Sequence, residues 1–377
     1  MTELVQAAYI HVPFCIHRCG YCDFTVIARR DDLIDVFLDC LEREIKNTLE
    51  KPQPVQTLFI GGGTPNYLPA EALQRLLDLL AHWMPVADDG EFSMECNPEM
   101  FTLDRMDVMA LAGVNRVSLG VQSFHATHLR TLERKHTAEE VFDVVECLRE
   151  REFQNISIDL IYAVPGETLA EWQEDLQMAV NMKPQHLSTY GLTFEKGTSF
   201  WTRRSKQQLS QVADEIERDM YAAAMDDLKA AGYVQYELSN SALPGFECRH
   251  NQVYWNAEPY YGFGPGAASF LFGERAMRHR SVTRWIKHIR AGESAIADRE
   301  ELTPDLRARE AVMLGLRKTG GINAALFHER HGKDVRDLAP AEFDQFVTDG
   351  LLELTDGQVR LTYDGRFLAD TVVAAFL

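Results

Sequence analysis

The chain has 377 residues, with 38 Lys plus Arg against 57 Asp plus Glu and a formal charge of −19. A surface this acidic lacks the counterion-releasing cations that phosphate-backbone binding needs, so nucleic acid is not an expected partner. The 46% apolar and 25% charged fractions are those of a globular chain long enough for two or three domains, with no apolar run near the ~18 residues of a membrane span.

From residue 7 to 192, short β-branched or aromatic runs alternate with helical stretches. Strands are predicted over 8–12, 57–60, 91–96, 116–121, 156–161 and 186–192, and helices over 33–49, 70–82, 103–111, 138–150 and 169–181. Thr102, Thr137 with Glu140, and Thr168 with Glu171 supply N-terminal helix signals. Six βα units in series predict an α/β fold whose parallel sheet curls into a partial (β/α)6 barrel over 1–200. The stretch 201–300 reads as an extension, with a long helix over 209–231, a strand over 233–238 and an aromatic, Gly- and Asn-rich segment over 240–272. Over 301–377, helices precede an alternating segment carrying the tight-turn pair Asp356-Gly357, which predicts a mostly helical, winged-helix-like C-terminal domain. It is not basic, so packing or a protein partner suits it better than nucleic acid.

The first six residues, Met-Thr-Glu-Leu-Val-Gln, hold no basic segment of the kind that opens a secretory signal, and a cytoplasmic location is expected. In a reducing compartment seven cysteines are not a disulfide framework. Cys15, Cys19 and Cys22 form a C-x3-C-x2-C array after the first strand, while Cys40, Cys96, Cys147 and Cys248 are scattered singly. Three thiolates suit either zinc or an iron–sulfur cluster. Zinc sites usually close with a second cysteine pair, which this sequence lacks, and His17 is cramped between Cys15 and Cys19. Three cysteines match a [4Fe–4S] cube with one iron left open. Further polar residues stand at strand ends. Gly61-Gly62-Gly63-Thr64 follows the second strand, where bare backbone can approach a small polar ligand. Glu95 ends the third, Gln122 follows the fourth, and Asp159 interrupts the apolar fifth, where a carboxylate needs hydrogen bonds to be buried. Arg134 adds a guanidinium fork suited to a carboxylate.

The cysteine array resembles the signature of the radical S-adenosylmethionine (SAM) superfamily. The resemblance implies that Cys15, Cys19 and Cys22 hold a [4Fe–4S] cluster whose open iron chelates the amino and carboxylate groups of SAM. It implies that Tyr9, Gly62, Gly63, Thr64, Glu95, Gln122, Arg134 and Asp159 surround SAM, the glycine loop taking the methionine amino group and Arg134 the carboxylate. The stretches 159–166, 186–193, 236–240 and 262–269 resemble oxygen-independent coproporphyrinogen III dehydrogenase and its relatives, the heme chaperones of the HemW family.

Two features separate these relatives. The dehydrogenase usually has a longer segment ahead of its cluster and a fourth cysteine two positions after the third, where this chain has Phe24. The segment from His250 to Trp255 matches the HNxxYW motif of the heme chaperones. The resemblance therefore implies heme as a ligand with His250 on its iron, Cys248 as a second candidate, and apo-hemoproteins as acceptors. Membrane respiratory enzymes, peripheral membrane contact and a homodimer are implied in the same way. Porphyrin decarboxylation through a 5′-deoxyadenosyl radical is the alternative, which leaves open whether the chain is an enzyme. Residues 278–290 carry five Lys or Arg, two His and no acid. With Trp285, Ile286 and Ile289 as an apolar stripe, they read as a basic amphipathic helix for heme propionates or anionic lipid.

Overall fold

Parallel strands pair side by side only when each connection crosses back over the sheet, and in this chain helices make those crossings. The computed structural model describes residues 5–377. Six parallel strands, β1 (Ala7–Val12), β2 (Val55–Gly62), β3 (Val86–Cys96), β4 (Arg116–Gln122), β5 (Asn155–Tyr162) and β6 (His186–Gly191), lie next to one another in chain order. Along each strand, side chains alternate between the helical layer and the concave interior. Ala8, Ile10 and Val12 of β1 are fully buried in the core, while Tyr9 lines the interior. In β5, Ile156, Ile158 and Leu160 do the same, leaving Ser157 and Asp159 on the inner face.

The sheet does not close. Tyr261–Phe263 pairs in parallel outside β1, Asn240–Ala242 runs antiparallel outside β6, and Val234–Glu237 forms the far edge. The extension over 201–300 thus adds three strands to the barrel sheet. The five predicted helices of the barrel are present, as Ile34–Leu49, Ala70–Trp83, Leu103–Leu111, Ala138–Glu150 and Leu169–Asn181. Thr137 with Glu140 and Thr168 with Glu171 form reciprocal capping boxes, whereas the Thr102 side chain makes no cap bond. The helix predicted from 209 begins at Asp214, after an irregular lead-in.

The C-terminal domain has its own core, with Val312, Leu316, Phe327, Phe343, Val359, Val372 and Phe376 buried together. The helices Pro304–Gly315, Ala324–His331 and Pro340–Thr348 precede a hairpin of Leu352–Thr355 and Gln358–Leu361. Asp356 and Gly357 both take positive φ, 53° and 73°, the left-handed pair that a two-residue hairpin turn requires. Among the described residues no helix is long and apolar enough to cross a membrane.

A buried carboxylate joins barrel and extension. Glu44, on the helix Ile34–Leu49, pairs with Arg278 Nε at 3.0 Å through Oε1. Its Oε2 accepts from the Gly264 amide at 2.9 Å and from Trp285 Nε1 at 3.2 Å. Arg278 also donates to Ser269 Oγ at 2.6 Å, so both ions are buried with their hydrogen bonds largely met. This corrects the basic helix over 278–290: Arg278 is a buried strand residue, and the helix is only Val282–Arg290. Within it, Val282, Trp285, Ile286 and Ile289 face the core and Arg284, Lys287 and Arg290 face outward. Removing one member of a buried, hydrogen-bonded pair strands the other charge. Glu44→Ala should therefore cost about 3–5 kcal/mol in denaturant unfolding, and a loss under 1 kcal/mol would refute this role.

Candidate functional site

At the C-terminal ends of the six parallel strands lies a cavity of about 420 Å³. Cys15, Cys19 and Cys22 line it together with Gly62, Gly63, Thr64, Glu95, Gln122, Arg134 and Asp159. Each strand end contributes one or two polar groups there, as parallel barrels do. Of the residues expected at the site, ten therefore share this cavity, and two, Tyr9 and His250, do not.

Cys15 is buried beside Thr64, with Sγ 3.4 Å from the threonine hydroxyl, and Cys19 and Cys22 lie on the loop that follows. Burial pushes the Cys15 thiol up to about 12 and also raises those of Cys19 and Cys22. His17 points its Nε2 at Glu133, 2.8 Å away, instead of joining the three sulfurs. Phe24, at the dehydrogenase's fourth-cysteine position, lies at the cavity mouth and is 58% exposed.

Backbone geometry places the polar groups. Gly62 has φ +111°, and a Cβ there would sit 2.5 Å from the His11 ring, so only glycine serves. Its amide donates to Glu95 Oε2 at 2.9 Å, which fixes the carboxylate at the end of β3. Gln122 takes a left-handed φ of +69°, and Asp175 secures the turn after it by accepting from Ser123 Oγ (2.6 Å) and the Phe124 amide (2.8 Å). The loop after this turn docks on the end of β4: Arg134 donates to the Gly120 carbonyl at 2.9 Å and His136 Nε2 to that of Val121 at 2.9 Å. Arg134 is buried, its Glu99 contact is long at 3.5 Å, and its Nε has no partner among the described residues. A buried guanidinium with a spare donor beside three thiols suits an anionic ligand.

Asp159 accepts from Ser118 Oγ at 3.0 Å and from Ser157 Oγ at 3.3 Å, which meets the requirement that its burial sets. Burial raises its carboxyl above the ordinary range even so. Glu95 rises to about 7, chiefly by burial, with the Gly62 amide opposing and the Asp159 charge reinforcing. Sequence reasoning missed Asn97, Ser118 and Tyr190, which also line the cavity. Asn97 follows Glu95 by two positions and donates to Thr64 Oγ1 at 3.1 Å, a spacing that could have flagged it.

Beneath this cavity is a second, of about 220 Å³, and Glu95, Ser118, Asp159 and Tyr190 border both. Tyr9 belongs to this lower level, its hydroxyl 3.0 Å from His11 Nδ1. The helix Arg249–Trp255, which carries the HNxxYW motif, plugs the floor. Glu91, early on the inner run of β3, accepts from the Arg249 amide (2.9 Å) and the His250 amide (3.0 Å), capping the plug helix, and Cys248 Sγ lies 3.6 Å from it. His250 is 1% exposed, with Nδ1 3.0 Å from Thr57 Oγ1 and Nε2 2.8 Å from the Tyr254 hydroxyl. In this conformation both ring nitrogens of His250 are engaged and Phe59 stacks on the ring. Cys248 is likewise buried against Glu91.

Residues 9–179 match the radical SAM superfamily model, and residues 302–368 match the HemN C-terminal domain model. The chain is 37% identical to the heme chaperone HemW of Bacillus subtilis over 99% of both chains. It is 32% identical to that of Escherichia coli K12, over 98% of this chain and 97% of the other. It also superposes on the E. coli radical SAM coproporphyrinogen III oxidase HemN with a TM-score of 0.87, over 99% of this chain and 90% of that one, at 24% identity, a likeness of fold.

The raised Glu95 carboxyl has a consequence for stability. Folding binds its proton more tightly than the unfolded chain does, so the group's contribution falls as pH rises from the ordinary carboxylate range to about 7. Glu95→Gln removes that titration. Urea midpoints at pH 5 and pH 7.5 should show a smaller loss in the variant, by at most about 1.4 kcal/mol per pH unit; equal losses would contradict the assignment.

Proposed function

We propose that this chain, which belongs to the HemW family of heme chaperones within the radical SAM superfamily, binds heme and passes it to apo-hemoproteins. The observation that carries the reading is likeness along the whole chain, at 37% identity over 99% of both sequences, to a protein named for that role. Phe24 in place of a fourth cysteine supports it over porphyrin decarboxylation.

The radical SAM domain implies a [4Fe–4S] cluster and SAM, and the upper cavity fits both. In this reading Cys15, Cys19 and Cys22 hold the cluster, three thiols facing one cavity. When bound, the cluster supplies an open iron and an electron source beside SAM. Arg134, with its unpartnered buried Nε, takes the SAM carboxylate. Glu95, Gln122 and Asp159 offer acceptors and one amide donor to its amino group and ribose hydroxyls, while Gly63 and Thr64 form the adjoining wall. Because the Gly62 amide is already given to Glu95, the carboxylate, rather than that amide, faces the ligand amine. Tyr9 supports this wall from the lower cavity.

The partners follow the same reading: a cytoplasmic protein that self-associates and touches membrane hemoproteins at the periphery. Arg284, Lys287 and Arg290 form the exposed cationic face suited to anionic lipid. Reversing Arg284 and Lys287 to Glu should abolish cosedimentation with phosphatidylglycerol vesicles, whereas undiminished cosedimentation would remove the membrane contact. For the function itself, the protein is reconstituted anaerobically with iron and sulfide, then given hemin with an apo-hemoprotein acceptor and, separately, coproporphyrinogen III with SAM. Heme binding and transfer without decarboxylation are expected. Robust decarboxylation would install the enzyme reading instead.

A further inference from the structure

We propose that the rim beside the cysteine loop, built by residues 194–206 with Arg18 and Arg280, is the docking surface for an acidic one-electron carrier protein. The inference rests on the cluster reading above and adds the partner that refills the cluster. One electron leaves the carrier, which is oxidised by one unit, and enters the cluster on Cys15, Cys19 and Cys22, which is reduced by one. No bond forms or breaks and no proton moves.

In a chain of formal charge −19, residues 196–206 hold Lys196, Arg203, Arg204 and Lys206 and no acid. They include the helix Ser199–Ser205, which is built directly against the cysteine loop. The Phe200 amide donates to the Gly20 carbonyl at 2.8 Å, between Cys19 and Cys22. A Cβ on Gly20 would sit 2.6 Å from the Phe200 ring, so helix and loop meet with no space between them. Phe194 and Phe200 share a small core with Leu132 and Leu192, and Tyr21 of the cysteine loop packs on it. From another side Arg280 donates to the Asp23 carbonyl at 2.6 Å, and Arg18 belongs to the loop itself. Cys19 and Cys22 are only half-buried beneath these contacts.

A hollow of about 460 Å³ opens between these parts, lined by Arg18, Lys196, Arg280 and Trp201. Asp23 and Glu195 border both it and the cluster cavity, so the two adjoin. Lys196 lies over the Trp201 ring at 5.9 Å and Arg204 over Phe194 at 5.4 Å. Arg203 is half-buried and paired with Glu133 at 3.7 Å, whereas Arg18, Lys196, Arg204 and Arg280 are exposed and in no ion pair among the described residues. Exposed Trp201 and Phe24 add flat apolar surface, the kind that anchors a protein interface. Charge then selects the partner. An acidic protein is repelled by most of this surface and is steered to the cationic rim, which lies against the thiols. The concave rim with two carboxylates on its border suits a protruding acidic protein edge better than a flat sheet of lipid headgroups.

The test is anaerobic stopped-flow reduction of the full-length, cluster-reconstituted protein, read as bleaching of the cluster's visible absorption and confirmed by electron paramagnetic resonance. A reduced flavodoxin serves as the acidic carrier, and photoreduced deazariboflavin as a small uncharged donor that needs no docking surface. In Lys196→Glu/Arg204→Glu the flavodoxin rate at low salt should fall roughly tenfold or more, since steering raises association rates by ~10–1,000-fold. The deazariboflavin rate should stay as in the wild type, and only the wild type's flavodoxin rate should fall steeply with added salt. Equal flavodoxin rates in variant and wild type overturn the proposal. If those rates are equal while the variant loses cosedimentation with phosphatidylglycerol vesicles, the rim belongs to lipid instead. Should the double variant lose its cluster, Lys196→Glu alone decides by the same pair of rates. If the wild type assembles no cluster, the cluster reading itself falls, a separate and recognisable failure.

Discussion

An open half-barrel of parallel strands has a polar interior that must be sealed at its floor, or its buried carboxylates would sit in a water-filled channel. Here the seal is one short helix, and it depends on Glu91. That carboxylate accepts the Arg249 and His250 amides, two of the donors that a helix start leaves without intrahelical partners. Thr57 then fixes the His250 ring, Phe59 stacks on it, and Tyr254 closes the other nitrogen. With the floor closed, the interior holds Asp159, Glu95 and Arg116 out of bulk solvent, and the raised carboxyl groups above it follow.

The same logic governs the roof. Arg134 reaches the cysteine loop because its own loop docks on the last carbonyls of β4. Those carbonyls lie at a register shift in the pairing of β4 with β5, between Gly120 and Gln122, where Gln122 takes its left-handed φ. Asp175, from a helix on the outside of the sheet, holds that turn. The Arg134 guanidinium in the cavity is thus positioned through a carboxylate, Asp175, that does not itself line the cavity.

Much of this was legible in the sequence. The period-two runs and capping signals located the six strands and five helices of the barrel, because burial on one face imposes that periodicity. The cysteine array, Glu95 and Asp159 stood out because thiols at close spacing and a carboxylate in an apolar strand both need explanation. The short strands 240–242 and 261–263 were not legible, since three residues carry no period, and their place in the sheet comes from long-range pairing. The bonding of His250 was not legible for a related reason. The motif marks a histidine and a tyrosine one helical turn apart, but a sequence does not show that they bond to each other rather than to a ligand. Arg278 likewise looked like one cation of a surface stretch until Glu44, 234 residues earlier, claimed it.

Strand β3 carries Glu91 at the floor and Glu95 at the roof, four positions apart and therefore on one face. It is a rigid rod of about 13 Å between the two carboxylates. A longitudinal slip that served one end would misplace the other, so the cap on the plug helix and the anchor on Gly62 share a single register. Thermodynamic reciprocity then applies: to whatever extent occupancy above the strand shifts that register, release of the plug below must shift occupancy above by the same factor. The barrel floor and the cluster-side cavity are mechanically one object.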